Sequence, residues 1–274
     1  MFFSNLHSTS SDSVWQWKKW NSLPYLSCEL LSDWQHGFFT QQWYPRQPKE
    51  LSSALSDRAK TFRVKQVHGN TVLTPQETSD LVENSETQFP DADGIITDDL
   101  DQSVWVASAD CNPVLIGDRK TGRVAAVHAG WRGTARQIVP NAVFRFKDYG
   151  SELKDLAIAI GPAITGEVYQ VGENVAVEVG QTILKNEKKE SSPPKQAILD
   201  KLLAIENSPV LEDKHPGRVK LDVRRVNQIQ LQQIGIDNEQ IAIAPYCTYQ
   251  QPDYFFSYRR TKQKKVQWSG IISN

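Results

Sequence analysis

Cysteine is scarce in this sequence: three residues in 274, widely spaced and odd in number. That excludes a disulfide framework and favours a reducing, cytoplasmic setting. No apolar run approaches the ~20 residues of a membrane span. The opening "MFFSNLHSTSSDSVWQWKKW" lacks the basic start and long apolar segment of a signal peptide. A cytoplasmic protein with no membrane partner is the expectation. An excess of charge is missing too. Lys and Arg total 31 against 32 Asp and Glu, a formal charge of −1. Nothing electrostatic points to nucleic acid. The basic stretch "YRRTKQKK" near the C-terminus reads as solvated surface. Neither CxxC nor HExxH occurs, and no internal repeat is visible.

What is present is an ordinary globular composition, 39% hydrophobic and 23% charged, with eight tryptophans for core bulk. We expect one domain over residues 1–274, with 1–20 a ragged lead-in and 185–218 an exposed loop or insertion. Apolar runs predict strands at "YLSCELL", "TFRVKQVH", "GIITD", "SVWVASAD", "PVLIGD", "RVAAVHA", "LAIAIG", "QIAIAPY" and "YFFSYRR". Ala135, Ile138, Val139, Ala142, Val143 and Phe146 recur at helical spacing, with Thr134 placed to cap. Further helices are predicted over about 172–184 and 221–236. Strands and helices mix without strict alternation. The expected class is α/β or α+β, layered, with mixed sheets.

Three residues carry the chemistry. His68 follows "RVKQV", Cys111 follows "VWVASAD" and His128 follows "RVAAV". Strand ends are where side chains leave a core and converge on a cleft. Two imidazoles and a thiolate form a three-ligand zinc set with one position left over. Copper accepts the same donors. The separations, 43 and 17 residues, are not diagnostic. A buried free thiol and two hydrogen-bonded histidines would explain the same residues. The surroundings favour chemistry. "HAGWRGT" places two glycines and Arg132 before a helix, an arrangement suited to phosphate or carboxylate. Asp110 beside Cys111 is a candidate base or an acceptor orienting a ligand. Asp91, Asp93 and Asp98 of "DADGIITD" are explained more simply by turn chemistry. His36 reads as a structural turn residue, Cys28 as core, Cys247 as a packed thiol and His215 as surface. Arg259 and Arg260 read equally as exposed edge residues or as groups closing over substrate, and His7 lies in a polar tail.

"KQVHGNTV", "DADGIITD", "ADCNPVL", "AAVHAGWRGT", "AIGPAI…YQVG", "CT" and "FFSYRR" occur in this order between about His36 and Arg260. In these motifs the chain resembles the YfiH family, also called laccase-domain or multicopper-polyphenol-oxidase-like. The resemblance implies an α/β sandwich with mixed sheets, distantly similar to toxin cysteine deamidases. It also implies zinc on His68, Cys111 and His128. The implied chemistry is phosphorolysis of adenosine, inosine and S-methyl-5'-thioadenosine, with adenosine deamination as a second activity. Purine nucleosides and phosphate are then the partners. Arg132 and the glycine amides would hold phosphate, and zinc would activate water for deamination. Older family names imply copper and phenol oxidation, and bacterial relatives are linked to editing of peptidoglycan precursors. Gln41, a candidate substrate-binding position with Arg132 and Asp110, stands where the family pattern has an arginine followed by a glycine pair; if that arginine binds phosphate or substrate, Arg46 could substitute, and Asn112 replaces a commoner apolar residue or threonine. The family's Gly-Arg after "FFSYRR" gives way to "TKQKK".

Two other enzyme classes stay open. A cysteine hydrolase or amidase would use Cys111 as nucleophile and His128 as base. The acidic neighbour and nearby proline give the thiol no obvious reason to ionise. A copper phenol oxidase needs several metal ions, and five histidines are few for that. A partner-binding role without catalysis is the remaining class.

Overall fold

The computed structural model describes residues 14–83, 88–184 and 194–274. Two six-stranded sheets stack face to face. The first runs β1 (Trp15–Trp20), β2 (Leu23–Cys28), β3 (His36–Phe39), β15 (Gln267–Ile272), β7 (Gln102–Ser108), β4 (Lys60–Arg63). The second runs β14 (Ile241–Ile243), β10 (Leu156–Ile160), β8 (Asn112–Asp118), β9 (Val124–Ala129), β6 (Gly94–Ile96), β5 (Val72–Leu73). Both are mixed: β4–β7, β10–β14 and β5–β6 pair parallel and the remaining pairs antiparallel. The layered mixed-sheet architecture expected from the sequence is the one observed.

Side-chain alternation decides the layers. On β8, Leu115 packs between the two sheets while Val114 and Ile116 face the helices. On β9, Val124 and Ala126 take the inter-sheet side, and Ala125 and Val127 the other. Helices α4 (Ile138–Asp148) and α7 (Val223–Gln233) cover that second face through Val139, Val143, Phe146 and Leu231. The outer face of the first sheet is closed by Phe39, Trp43, Leu51 of the short helix α1 (Pro48–Leu51), Trp105 and Trp268, while helix α2 (Pro75–Glu83) follows β5. Burying each such large apolar side chain contributes about 1.5–3 kcal/mol.

The lead-in assignment is corrected: Trp15–Trp20 is an edge strand in register with β2, from Trp15 opposite Cys28 to Trp20 opposite Leu23. His7 lies outside the described residues. The 185–218 segment is corrected as well. Residues 185–193 are outside the description, but helix α6 (Lys195–Leu203) buries Ile198, Leu199 and Leu202. Strands β12 (Val210–Glu212) and β13 (Arg218–Leu221) join β11 (Gln170–Gly172) in a third, antiparallel sheet. Its charge concealed an i, i+1, i+4 apolar set that packs against helix α5 (Glu173–Gly180).

The helix expected from Ala135 to Phe146 is broken into α3 (Trp131–Ala135) and α4. Gln137, in the left-handed region at φ 56°, separates them. Pro140 has no N–H for a bond back to Arg136, so it sits in the first turn of a new helix. Thr134 does not cap: it is buried in α3 and its hydroxyl donates to Asn227 Oδ1. "YFFSYRR" is not a strand either. Ser257 accepts from the Arg260 N–H and starts the short helix α8 (Tyr258–Thr261).

Candidate functional site

His68 and Cys111 both lie where the chain crosses between the two large sheets. β4 ends at Arg63 in the first sheet and β5 begins at Val72 in the second, so His68 is in the crossing rather than at a strand end. β7 ends at Ser108 and β8 begins at Asn112, again in different sheets, with Cys111 between. His128 belongs to β9 itself and follows Val124 and Ala126 in parity onto the inter-sheet face.

Both crossings bend through the left-handed region, at His68 (φ 59°) and Asp110 (φ 85°). For residues with a Cβ such angles cost about 1–3 kcal/mol and need support. Asp93 supports the first. Its fully buried carboxylate accepts from Val67 N (3.1 Å), His68 N (2.9 Å) and Gly69 N (2.6 Å). Three successive N–H groups thus form a nest around one anion. Asp93 Oδ1 also accepts from His128 Nδ1 at 2.8 Å. This leaves His128 Nε2 for the cleft. The second crossing is held by Asp110, which accepts from Thr248 Oγ1 (2.8 Å) and Arg259 N (2.7 Å).

The donor atoms of His68, Cys111 and His128 lie within 4.8 Å of one another. The two imidazoles meet edge to face, centroids 4.9 Å apart. Burial alone would raise the Cys111 thiol pKa. The charge and hydrogen bond of His128, with those of His68, outweigh it and hold the thiol below its ordinary value. Burial likewise opposes the charged form of His128, but Cys111 and Asp93 raise its pKa. Gly130 makes room: a Cβ there would stand 2.8 Å from Cys111 Sγ and 3.3 Å from His68 Cδ2. Two imidazole nitrogens and an ionisable sulfur at these separations fit a zinc-type ion, and copper accepts the same set.

The trio lines a cleft of about 810 Å³, a size suited to a small-molecule ligand. Its walls include Arg63, Lys65, Gln66, Phe89, Tyr258, Lys264, Lys265 and Trp268. The other sequence candidates are placed elsewhere. Asp110 anchors the crossing and does not join the trio's ligand atoms. Arg132 is exposed and lies over the Trp131 ring, 4.3 Å from its centre, outside the cleft lining. The Gln41 amide donates to the Pro252 carbonyl, and Arg46 stacks on Trp43.

His36 is structural, in a strand rather than a turn: Nδ1 donates to Trp34 O and Nε2 accepts from Cys28 N. Cys247 is a packed thiol accepting from Thr165. Arg260 donates to three carbonyls, of Thr248, Tyr249 and Phe255. Arg259 donates to Gln170 O. Asp91 pairs with Lys65, and Asp98 accepts from Gln76 N and Gln102 Nε2. Asp93 is the residue that sequence reasoning undervalued. Its signal was position: it directly precedes the apolar "GII" and so enters the core.

The family described as "Multi-copper polyphenol oxidoreductase laccase" matches residues 46–273. This chain belongs to that family. Among curated relatives of this chain, the purine nucleoside phosphorylase of Synechocystis sp. is 52% identical over 265 residues, covering 97% of this chain and 99% of its own. A purine nucleoside phosphorylase of Bacteroides thetaiotaomicron is 33% identical, covering 66% of this chain and 60% of its own. The crystal structure of YlmD from Geobacillus stearothermophilus superposes with a TM-score of 0.75 at 23% identity, covering 94% of this chain and 98% of that one. YfiH of Bacillus licheniformis gives 0.72 at 23% identity, covering 91% and 96%. These two likenesses bear on fold alone.

Proposed function

We propose that this laccase-like family member is a zinc-dependent purine nucleoside phosphorylase. Its substrates would be adenosine, inosine and S-methyl-5'-thioadenosine, with adenosine deamination as a second activity and a cytoplasmic location. The observation that carries the reading is the His68–Cys111–His128 cluster on the wall of a nucleoside-sized cleft. It is joined to 52% identity with a relative named for this reaction. His68, Cys111 and His128 would hold the ion, which when bound supplies Lewis acidity.

The remaining work falls to the chain. Tyr258 offers aromatic surface for a purine. In the reaction the bond from C1' to the base nitrogen breaks, a C1'–O bond to hydrogen phosphate forms, and the proton that the phosphate gives up passes to the departing base. Asp93 keeps His128 in one tautomer by accepting from Nδ1.

Purified protein given adenosine and phosphate should release adenine and ribose 1-phosphate. Removal of metal by a chelator should abolish this, and zinc should restore it. Cys111→Ala should be inactive with its fold intact. Full activity in metal-free protein would refute the reading.

One observation favours a second reading. Asp93, His128 and Cys111 form an acid–imidazole–thiol line with a depressed thiol pKa, the arrangement of a cysteine hydrolase. That enzyme would survive chelation and be trapped by a thiol alkylator at Cys111.

A further inference from the structure

Among the described residues, the cleft lining contains four cationic side chains, Arg63, Lys65, Lys264 and Lys265, and no carboxylate. In a chain of net charge −1 this is a local bias. The cations differ in what already occupies them. Lys65 is paired with Asp91 at 3.0 Å. Arg63 has no ion-pair partner among the described residues. It ends β4 with its guanidinium carbon 4.0 Å from the centre of the Phe89 ring and 5.3 Å from that of Trp268. Among the described residues no carboxylate or other acceptor engages it, and burial lowers its pKa with no partner to offset the loss. Lys264 is exposed and has no ion pair among the described residues, and Lys265 packs its ammonium near the Tyr44 and Phe256 rings.

A half-buried guanidinium packed against two aromatic rings has already lost part of its rotamer freedom and part of its hydration. Its fork of N–H donors is set for a planar or tetrahedral oxyanion, and two flexible ammoniums beside it add charge. Leaving such a cation desolvated without a counter-charge is costly, which argues that a ligand supplies the charge. Arg132, the phosphate candidate of the sequence, instead stacks on Trp131 outside this cleft.

We propose that Arg63, with Lys264 and Lys265, forms the subsite for a phosphoryl dianion in the same cleft as the His68–Cys111–His128 cluster. The basic "TKQKK" stretch, which reads as solvent-facing in the sequence, is then part of the site. The source of the phosphoryl group is inorganic phosphate if the phosphorylase reading above holds, on which that identification rests. A phosphorylated nucleoside is the other source of the same chemistry.

The test is titration of the metal-loaded protein with inorganic phosphate and, separately, with adenosine 5'-monophosphate. Binding is read by calorimetry, and the phosphate KM is measured with adenosine as co-substrate. Arg63→Gln should weaken phosphate at least tenfold in both Kd and KM while the adenosine KM changes less than twofold. Lys264→Glu/Lys265→Glu, at one exposed and one partly buried position outside the core, with folding checked by urea unfolding, should weaken phosphate several-fold and flatten its salt dependence. Arg132→Gln should leave phosphate binding unchanged. If only the monophosphate is lost in the Arg63 and lysine variants, the subsite stands and its ligand is the nucleotide's own phosphoryl group. If wild type binds phosphate through these residues but cleaves no nucleoside, the phosphorylase reading fails and the subsite survives. Unchanged affinity for both ligands in the lysine variant and in folded Arg63→Gln overturns the proposal, as does loss of phosphate binding in Arg132→Gln alone.

Discussion

Replacing Asp93 by Asn tests the logic of the site with a change of one atom. The carboxylate accepts four hydrogen bonds, from His128 Nδ1 and His68 N at Oδ1 and from Val67 N and Gly69 N at Oδ2. An amide presents one oxygen and one NH2. Whichever way it turns, two of the four donors face another donor. Bonds to a charged acceptor are worth about 1.5–3 kcal/mol each, and a buried donor left unmet costs about 1–3. Partial relaxation of the 67–69 crossing recovers some of this. We expect Asp93→Asn to lose about 2–5 kcal/mol of stability. Metal affinity should fall about 10- to 100-fold through loss of His128 orientation.

The pH dependence carries a sign. Burial acts to raise the Asp93 pKa, but the hydrogen bonds and charge of His128 and the amides of Gly69 and Val67 outweigh it and lower it below 3.8. The stabilisation is therefore present above the unfolded-state value and lost as pH falls through the folded one. Asp93→Asn should flatten that acid limb. Urea unfolding in the presence of chelator gives the stability, and competition with a chromophoric chelator gives the affinity. A variant within 0.5 kcal/mol of wild type with metal affinity changed less than twofold would refute the reasoning (both limits set by ordinary errors of about that size).

Two other substitutions follow from the same structure. Gly130→Ala should fold, since φ −70° at Gly130 suits any residue, yet lose metal in elemental analysis because its Cβ would stand 2.8 Å from Cys111 Sγ. Wild-type metal content in this variant would show that the sulfur moves freely. His36 is buried, and burial first, then the charge of Lys18, lowers its pKa from 6.5 to about 4 against the opposing bonds to Trp34 and Cys28. The folded state favours neutral imidazole, so its contribution is full above pH 6.5 and drains away as pH falls towards 4. The gap corresponds to about 3 kcal/mol. His36→Gln should remove that slope from urea midpoints measured between those pH values, and an unaltered slope would assign it to another group.

The layers were legible because their signal is local. Runs such as "RVAAVHA" and "LAIAIG" can be buried strands whatever surrounds them, and they became β9 and β10. The meeting of His68, Cys111 and His128 was legible as a shared habit of following apolar runs, although two of the three lie in crossings between sheets. What the sequence concealed depended on distant partners. Trp15–Trp20 looked ragged because an edge strand with one face in water carries lysines between its tryptophans. Asp93 looked like its neighbours Asp91 and Asp98 because the three N–H groups that claim it arrive from residues about 25 positions earlier. Arg132 looked like an anion ligand because a nearby helix start is visible in sequence, whereas the direction of its side chain is not.

Two of the three cluster residues ride on links that tie one sheet to the other, and the third is fixed to the second sheet. An ion seated among them would act as a rivet through the sandwich. Its grip would report on the alignment of whole layers, not of three side chains alone. A bulky residue introduced at the interlayer contact of Gly161 with Phe38, away from the cleft, would then loosen the ion without touching any donor.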